Sequence, residues 1–156
     1  MSRPSVLFVC LGNICRSPLA EGAMRVLAET AGIDMRIESA ATGDWHVGCE
    51  PDRRAQQVAQ RHGVNISRIR ARQMEPRDFH EFDHIVAMDD SNLEAARNAA
   101  PQGSKARLSL LLDHVPGRAG QSVADPYFGQ DADFDQTWAD IGAGVRGLAA
   151  MLVPLR

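Results

Sequence analysis

The run Cys10-Leu-Gly-Asn-Ile-Cys-Arg16-Ser17 constrains this chain more than any other feature. It follows the apolar segment Val6-Leu-Phe-Val9, which reads as a short buried strand. It precedes a helix-like pattern that opens at Pro18. A loop in that position sits at the carboxyl end of a strand, where open α/β sheets place their ligands. Its backbone N–H groups and the following helix N-terminus would favour an anion. Arg16 could clamp two oxygens of that anion with its planar fork. The same positive surroundings would favour the thiolate of Cys10 at the base of the loop. Together these parts point to covalent chemistry on a phosphate-like group.

The alternatives for such a loop fall away quickly. No G-x-x-x-x-G-K-[ST] run occurs, so it is not a nucleotide-binding loop of the Walker type. Cys10 and Cys15 are separated by four residues, not the two of thioredoxin-type redox motifs. With a net charge of −3, the chain offers no general attraction to nucleic acid or to an anionic membrane. Any pull on an anionic substrate must be local. No apolar stretch approaches membrane-spanning length, and the Met1-Ser-Arg-Pro start does not resemble a signal peptide. Three cysteines are too few for a disulfide framework, which makes a reducing cytoplasm the expected setting. His46 and Cys49 share one loop but do not complete a zinc site, so no metal is expected.

The rest of the chain alternates strand and helix signals over 156 residues, a length suited to one domain spanning 1–156. Pro18 to about Ala31 reads as a helix with Leu19, Ala23, Val26, Leu27 and Thr30 on one face. Ser17 is placed as its N-cap, Pro18 as its first residue and Gly32 as its stop. Arg36–Ala40 alternates like a strand. Further helices are expected from about Pro51 to His62, near Glu75–Phe82 and over Asp89–Ala99, the last with Ser91 or Asp90 near its start. Asp83–Met88 and Ala106–Leu112 read as strands. A Gly/Pro-rich loop from Pro116 to Gly129 leads into a final helix carrying Phe134, Trp138, Ile141, Val145, Leu148 and Leu152. Gly142, Gly144 and Gly147 lower its intrinsic propensity, so packing must hold it. The alternation implies an α/β fold with a parallel sheet covered on both faces.

Three later segments add to the loop. Ser39-Ala-Ala-Thr42, Met88-Asp-Asp-Ser-Asn-Leu93 and Asp125-Pro-Tyr-Phe-Gly129 stand in order along the chain. With Cys10–Pro18, they make the sequence resemble the low-molecular-weight protein tyrosine phosphatases from first strand to last helix. The resemblance implies a flavodoxin-like, three-layer α/β/α fold with a central four-stranded parallel sheet. It implies hydrolysis of phosphotyrosine monoesters through a phosphocysteine, without metal or cofactor. By it, Cys10 is the nucleophile, Arg16 the transition-state clamp and Asp125 the general acid. Leu11, Gly12, Asn13, Ile14, Cys15 and Ser17 complete the phosphate loop, with Asn13 and Ser17 holding it and stabilising the thiolate. His62 matches a histidine that braces the loop asparagine. Trp45, Tyr127 and Phe128 would wall the crevice. The resemblance also implies a phosphotyrosine-bearing protein as substrate, with a tyrosine kinase as partner. It fits a monomer with room for weak self-association.

Some of these residues carry a physical reading of their own. A phenolate leaving group needs a proton that a positioned Asp125 could give, and Pro126 restricts where that acid points. Asp-Pro is also a common turn pair, and the residues alone leave both roles open. Tyr127 and Phe128 stand out in a chain only 5% aromatic; they could pack against a substrate ring or anchor their loop. Cys15 fills space in the loop or, by the resemblance, pairs reversibly with Cys10 under peroxide. Cys49 reads as incidental. Phe128 replaces the tyrosine common in the family, and Ala41 a common glycine. An arsenate reductase would need cysteines beyond Cys49, and none follows. In related enzymes threonine at the Ile14 position goes with phosphoarginine, so Ile14 and the aromatics favour phosphotyrosine. A non-catalytic phosphate-binding module would have lost a catalytic part, yet Cys10, Arg16 and Asp125 are all present.

Overall fold

The computed structural model describes residues 3–153. Four strands, β1 (Ser5–Cys10), β2 (Arg36–Ala41), β3 (His84–Ala87) and β4 (Arg107–Leu110), form one parallel sheet in the order β2-β1-β3-β4. Strand β1 is buried along its whole length, as a central strand covered on both faces must be. Its side chains alternate between two cores. Val6, Phe8 and Cys10 face one cluster with α1 (Arg16–Ala31), α2 (Arg53–Arg61) and α5 (Asp131–Leu152). Leu7 and Val9 face a second cluster with Phe79 of α3 (Asp78–Glu81) and Leu93 of α4 (Asp90–Ala99). The result is the three-layer, flavodoxin-like α/β arrangement expected from the sequence. β1 has β2 on one side and β3 on the other, so the chain changes winding direction at its carboxyl end. Cys10 occupies that switch point.

Several local expectations are corrected. Helix α1 begins at Arg16, with Cys15 at the N-cap and no side-chain cap, so Ser17 lies inside the helix. Its hydroxyl is engaged elsewhere, and Pro18 is tolerated because first-turn N–H groups have no helical partner. The buried stripe of α1 runs through Leu19, Ala20, Met24 and Ala28, whereas Val26 and Thr30 are exposed. Ala23 and Leu27 of the expected face are half-buried and pack against the same core. Gly32 ends the helix with φ 68°, as expected. Helix α4 begins at Asp90, one residue after the expected start, and its N-cap is Asp89, whose carboxylate accepts the Asn92 N–H at 2.7 Å. β4 ends at Leu110, and Leu111–His114 form a 3₁₀ turn instead of continuing the strand. The glycines of α5 explain that turn's position. A methyl on Gly144 would lie 2.4 Å from Leu111 Cγ, and one on Gly147 only 2.0 Å from the His114 carbonyl oxygen. They reduce helix propensity, but they allow the turn to lie directly on α5.

Candidate active site

The phosphate loop is shaped by where its carbonyls go. Cys10 and Leu11 carbonyls accept from Thr42 and Gly43, just beyond β2, at 2.9 and 3.0 Å. The Ile14 carbonyl accepts the Asp52 N–H at the start of α2, at 2.8 Å. With these carbonyls tied outward, the loop amides face the other way. Among the described residues, the N–H groups of Leu11, Gly12, Asn13, Ile14 and Cys15 donate to no protein acceptor. Consecutive free amides curled around one centre make an anion-binding concavity, strengthened by the N-terminus of α1.

Asn13 fixes this curvature. Its backbone is left-handed at φ 57°, which a non-glycine residue adopts only when its surroundings compensate. Its amide nitrogen donates to Ser17 Oγ at 2.8 Å and Ser39 Oγ at 2.9 Å. Its carbonyl accepts the Arg72 backbone N–H at 3.2 Å. Ser39 in turn donates to Glu21 at 2.6 Å, and Glu21 pairs with Arg25. Since Ser17 Oγ accepts from Asn13, its own hydrogen is free for Cys10 Sγ, 2.9 Å away. The buried Cys10 sulfur therefore lies in hydrogen-bond contact with a hydroxyl that is itself held by Asn13.

Arg16 is 2% exposed and aimed by two acceptors. Its Nη1 donates to Asp89 Oδ2 at 2.7 Å and to the Val123 carbonyl at 2.8 Å. Nη2 faces Asp125 Oδ2 at 3.6 Å. Asp89 thus does two jobs: it caps α4 and orients the guanidinium. Asp125 is held in turn by the Tyr127 N–H, which donates to its Oδ1 at 3.1 Å. Pro126, between them, is buried.

Cys10, Leu11, Gly12, Ile14, Cys15, Arg16, Trp45, Asp125, Tyr127 and Phe128 line one concave pocket, together with His46. Trp45 is 68% exposed, and a methyl on Gly43 would collide with its ring, so Gly43 lets the indole lie flat on the backbone. Tyr127 and Phe128 meet edge to face with centroids 4.9 Å apart, and Phe128 is 96% exposed. These aromatics flank the mouth instead of anchoring their loops in the core. Cys15 is buried, and burial above all, with Asp52 and Cys10 nearby, pushes its thiol up. It packs in the main core.

One expectation fails. His62 sits at the C-cap of α2 and stacks on Trp138 with centroids 5.1 Å apart. Asn13 has Ser17, Ser39 and the Arg72 amide as partners, so the brace on the loop asparagine is a backbone group and two hydroxyls. The sequence alone assigns no role at the site to Asp89, Ser39, Glu21 or Arg54. For Asp89 there was a signal: two aspartates where a strand meets a helix. His46 was weighed only as a metal ligand; its ring covers Gly12, where a Cβ would lie 2.8 Å from its Cδ2. Among the described residues, no three His, Cys, Asp or Glu side chains gather as a metal site.

Fold and site together define an α/β protein with a loop of free amides beside a buried thiol and an oriented arginine. The family described as low molecular weight phosphotyrosine protein phosphatase matches residues 5–154. A Schizosaccharomyces pombe protein of that name is 42% identical over 139 residues, covering 87% of this chain and 88% of its own length. The crystal structure of YfkJ from Bacillus subtilis matches with a TM-score of 0.90 at 37% identity, covering 97% of this chain and 95% of that one. That of DARP, the drosophila arginine phosphatase, matches with a TM-score of 0.88 at 30% identity, covering 94% and 96%. The chain belongs to the low molecular weight phosphotyrosine protein phosphatase family, a family of hydrolases.

Proposed function

We propose that this chain hydrolyses phosphotyrosine monoesters on proteins, with Cys10 as nucleophile, Arg16 as clamp and Asp125 as general acid. The observation that carries the reading is the run of free loop amides beside a buried thiol in hydrogen-bond contact with the Ser17 hydroxyl. In the first step the Cys10 sulfur attacks phosphorus, an S–P bond forms and the ester P–O bond breaks. The phenol departs with the proton of Asp125. The amides of Leu11, Gly12, Asn13, Ile14 and Cys15, with Arg16, hold the three equatorial oxygens as charge redistributes. In the second step Asp125, now a carboxylate, takes a proton from water. That water's oxygen bonds to phosphorus, the S–P bond breaks, and phosphate leaves.

Leu11, Ile14, Trp45, Tyr127 and Phe128 support selection of a phenyl ring, since a ring can fill the space between pocket mouth and sulfur. Ser17 serves by its hydrogen bond to the sulfur. In this reading the enzyme opposes a tyrosine kinase in the cytoplasm as a monomer, with at most weak self-association. The whole of 1–156 is one domain, and the reaction needs no metal, cofactor, nucleic acid or membrane. Among the described residues no helix is long and apolar enough to cross a membrane.

A steady-state assay with an aryl phosphate, with and without a chelator, tests the proposal. Turnover unchanged by chelator supports it; loss of turnover on metal removal contradicts it. Comparing phosphotyrosine, phosphoserine and phosphoarginine peptides separates the substrates. A preference for phosphoarginine would move this chain towards the activity in the drosophila protein's name.

A further inference from the structure

We infer that Arg54, at the start of α2, is a positioning residue that sets the acid loop in register with the phosphate loop. The inference rests on the proposed role of Asp125 as general acid.

Arg54 spends nearly all of its donors on this junction. Its Nε and Nη2 form a fork on the Asp52 carboxylate, at 3.1 Å each. Nη2 also donates to the Tyr127 carbonyl at 2.8 Å, and Nη1 to the Gly129 carbonyl at 3.2 Å. The guanidinium carbon lies 4.6 Å from the centre of the buried Phe134 ring and 5.8 Å from that of Tyr127. Asp52 is itself fixed: its carboxylate caps α2 by accepting the Arg54 N–H, and its own N–H donates to Ile14 of the phosphate loop.

One short path therefore joins the two halves of the chemistry. It runs from the Ile14 carbonyl through Asp52 and Arg54 to Tyr127 and Gly129. Tyr127 is the residue whose N–H holds Asp125 Oδ1. Fixing its carbonyl fixes the plane of the neighbouring peptides, and so the direction of the acid. Asp125, Tyr127 and Phe128 are exposed and have few other ties. The Thr137 hydroxyl donating to the Ala124 carbonyl and the Arg16 contact hold the other end. Without Arg54 the carbonyls of Tyr127 and Gly129 lose their donor, and the segment after Asp125 is free to move.

The prediction is a selective defect. Arg54→Ala should lower kcat/KM by about 10–10²-fold for aryl phosphates with poor leaving groups, the scale expected when a reacting group is misplaced by an ångström. For a strongly acidic nitrophenol leaving group, which needs little protonation, the loss should fall to about threefold or less. Log kcat/KM should therefore fall more steeply with leaving-group pKa than in the unmodified protein. The rate of Cys10 alkylation by iodoacetate and its protection by inorganic phosphate should stay unchanged. Arg54→Lys should fall between the two, because an ammonium can reach one carbonyl but cannot reproduce the fork. In Asp125→Asn, adding Arg54→Ala should cost nothing further.

A loss equal across all leaving groups, slowed alkylation of Cys10, or additive losses in the double variant would overturn the inference and leave Arg54 as a structural tie. If Asp125→Asn alone shows no leaving-group dependence, the general acid reading itself fails and the positioning role falls with it. Leaving-group dependence in Asp125→Asn but not in Arg54→Ala removes only the positioning role.

Discussion

The two loops that meet over the pocket are built differently. The phosphate loop is braced and largely buried: Cys10, Asn13, Cys15, Arg16 and Ser17 are all covered. Its carbonyls are tied outward and its asparagine is held from three sides. The acid loop is the reverse. Pro126 is its buried residue, while Asp125, Tyr127 and Phe128 face solvent. The contrast follows the chemistry. An oxyanion has the same shape in every substrate, so its site can be rigid before binding, and rigid dipoles are worth most there. A leaving group and its peptide vary, and their side of the pocket sits on a loop held by single hydrogen bonds.

Substitutions at the rigid loop should therefore be the most severe, and uniform across substrates. Cys10→Ser should abolish turnover while inorganic phosphate still binds, since a hydroxyl is far less ionised than a thiol. Arg16→Lys should also be severely impaired, because a point charge cannot replace a fork aimed by Asp89 and Val123. Near-normal kcat/KM in Arg16→Lys would show that the orientation of the guanidinium is immaterial.

Next comes the acid loop. Asp125→Asn should slow phenyl phosphate hydrolysis by about 10²–10⁴-fold. The loss should shrink for acidic leaving groups. An equal loss for all would mean that Asp125 shapes the pocket instead of donating a proton.

Two variants of Asn13 then dissect the rigidity. Asn13→Gly accepts the left-handed backbone but strands the groups that Asn13 pairs with, at a cost of about 1–3 kcal/mol. Asn13→Ala loses the same bonds and adds about 1–2 kcal/mol of backbone strain. Thermal unfolding should rank the native protein above Gly and Gly above Ala. If Gly matched the native protein, the brace would contribute nothing.

A smaller effect is expected at the mouth. Tyr127→Ala and Phe128→Ala should each narrow the preference for phosphotyrosine over phosphoserine peptides, by about 1 kcal/mol. An unchanged ratio would remove the aromatic walls from specificity.

The smallest effect is expected at the start of β3, where His84 pairs with Val6 and Arg107. Burial holds His84 and His114 below the usual histidine range, and His84 is lowered further by His114 and Arg107. A depressed folded value means that the unfolded chain binds the proton more readily. Stability from these groups is complete above about pH 6.5, the unfolded value, and is lost as the pH falls through the lower folded values. His84→Gln should flatten that acid loss in urea unfolding curves without altering kcat/KM at neutral pH. An unchanged acid slope would discount the pair.

Much of this arrangement was legible in the sequence, for local reasons. The loop lies within eight residues, strand and helix periods announce the sheet, and Gly32 stops α1 by its own backbone preference. What escaped detection joins residues far apart. Asn13 meets Ser39 and the Arg72 amide, 26 and 59 positions away, and a backbone N–H leaves no trace in the sequence. The histidine at position 62 looked like a brace but serves α2 and α5 instead. Arg54 resembles any surface arginine until folding sets Tyr127 beside it. On α1 the expected face holds at Leu19, Ala23 and Leu27, which pack on the core, and fails at Val26 and Thr30, which are exposed.

The account depends most on one sulfur atom. A rapid acid quench during turnover of an aryl phosphate, followed by peptide mapping under conditions that preserve phosphocysteine, tests it directly. The account predicts a single phosphorylated peptide with phosphate on Cys10, absent from Cys10→Ser. It also predicts more phosphoenzyme when Asp125→Asn slows the attack of water relative to phosphorylation by an acidic leaving group. Phosphate on any other residue, or turnover retained in Cys10→Ser, would contradict it.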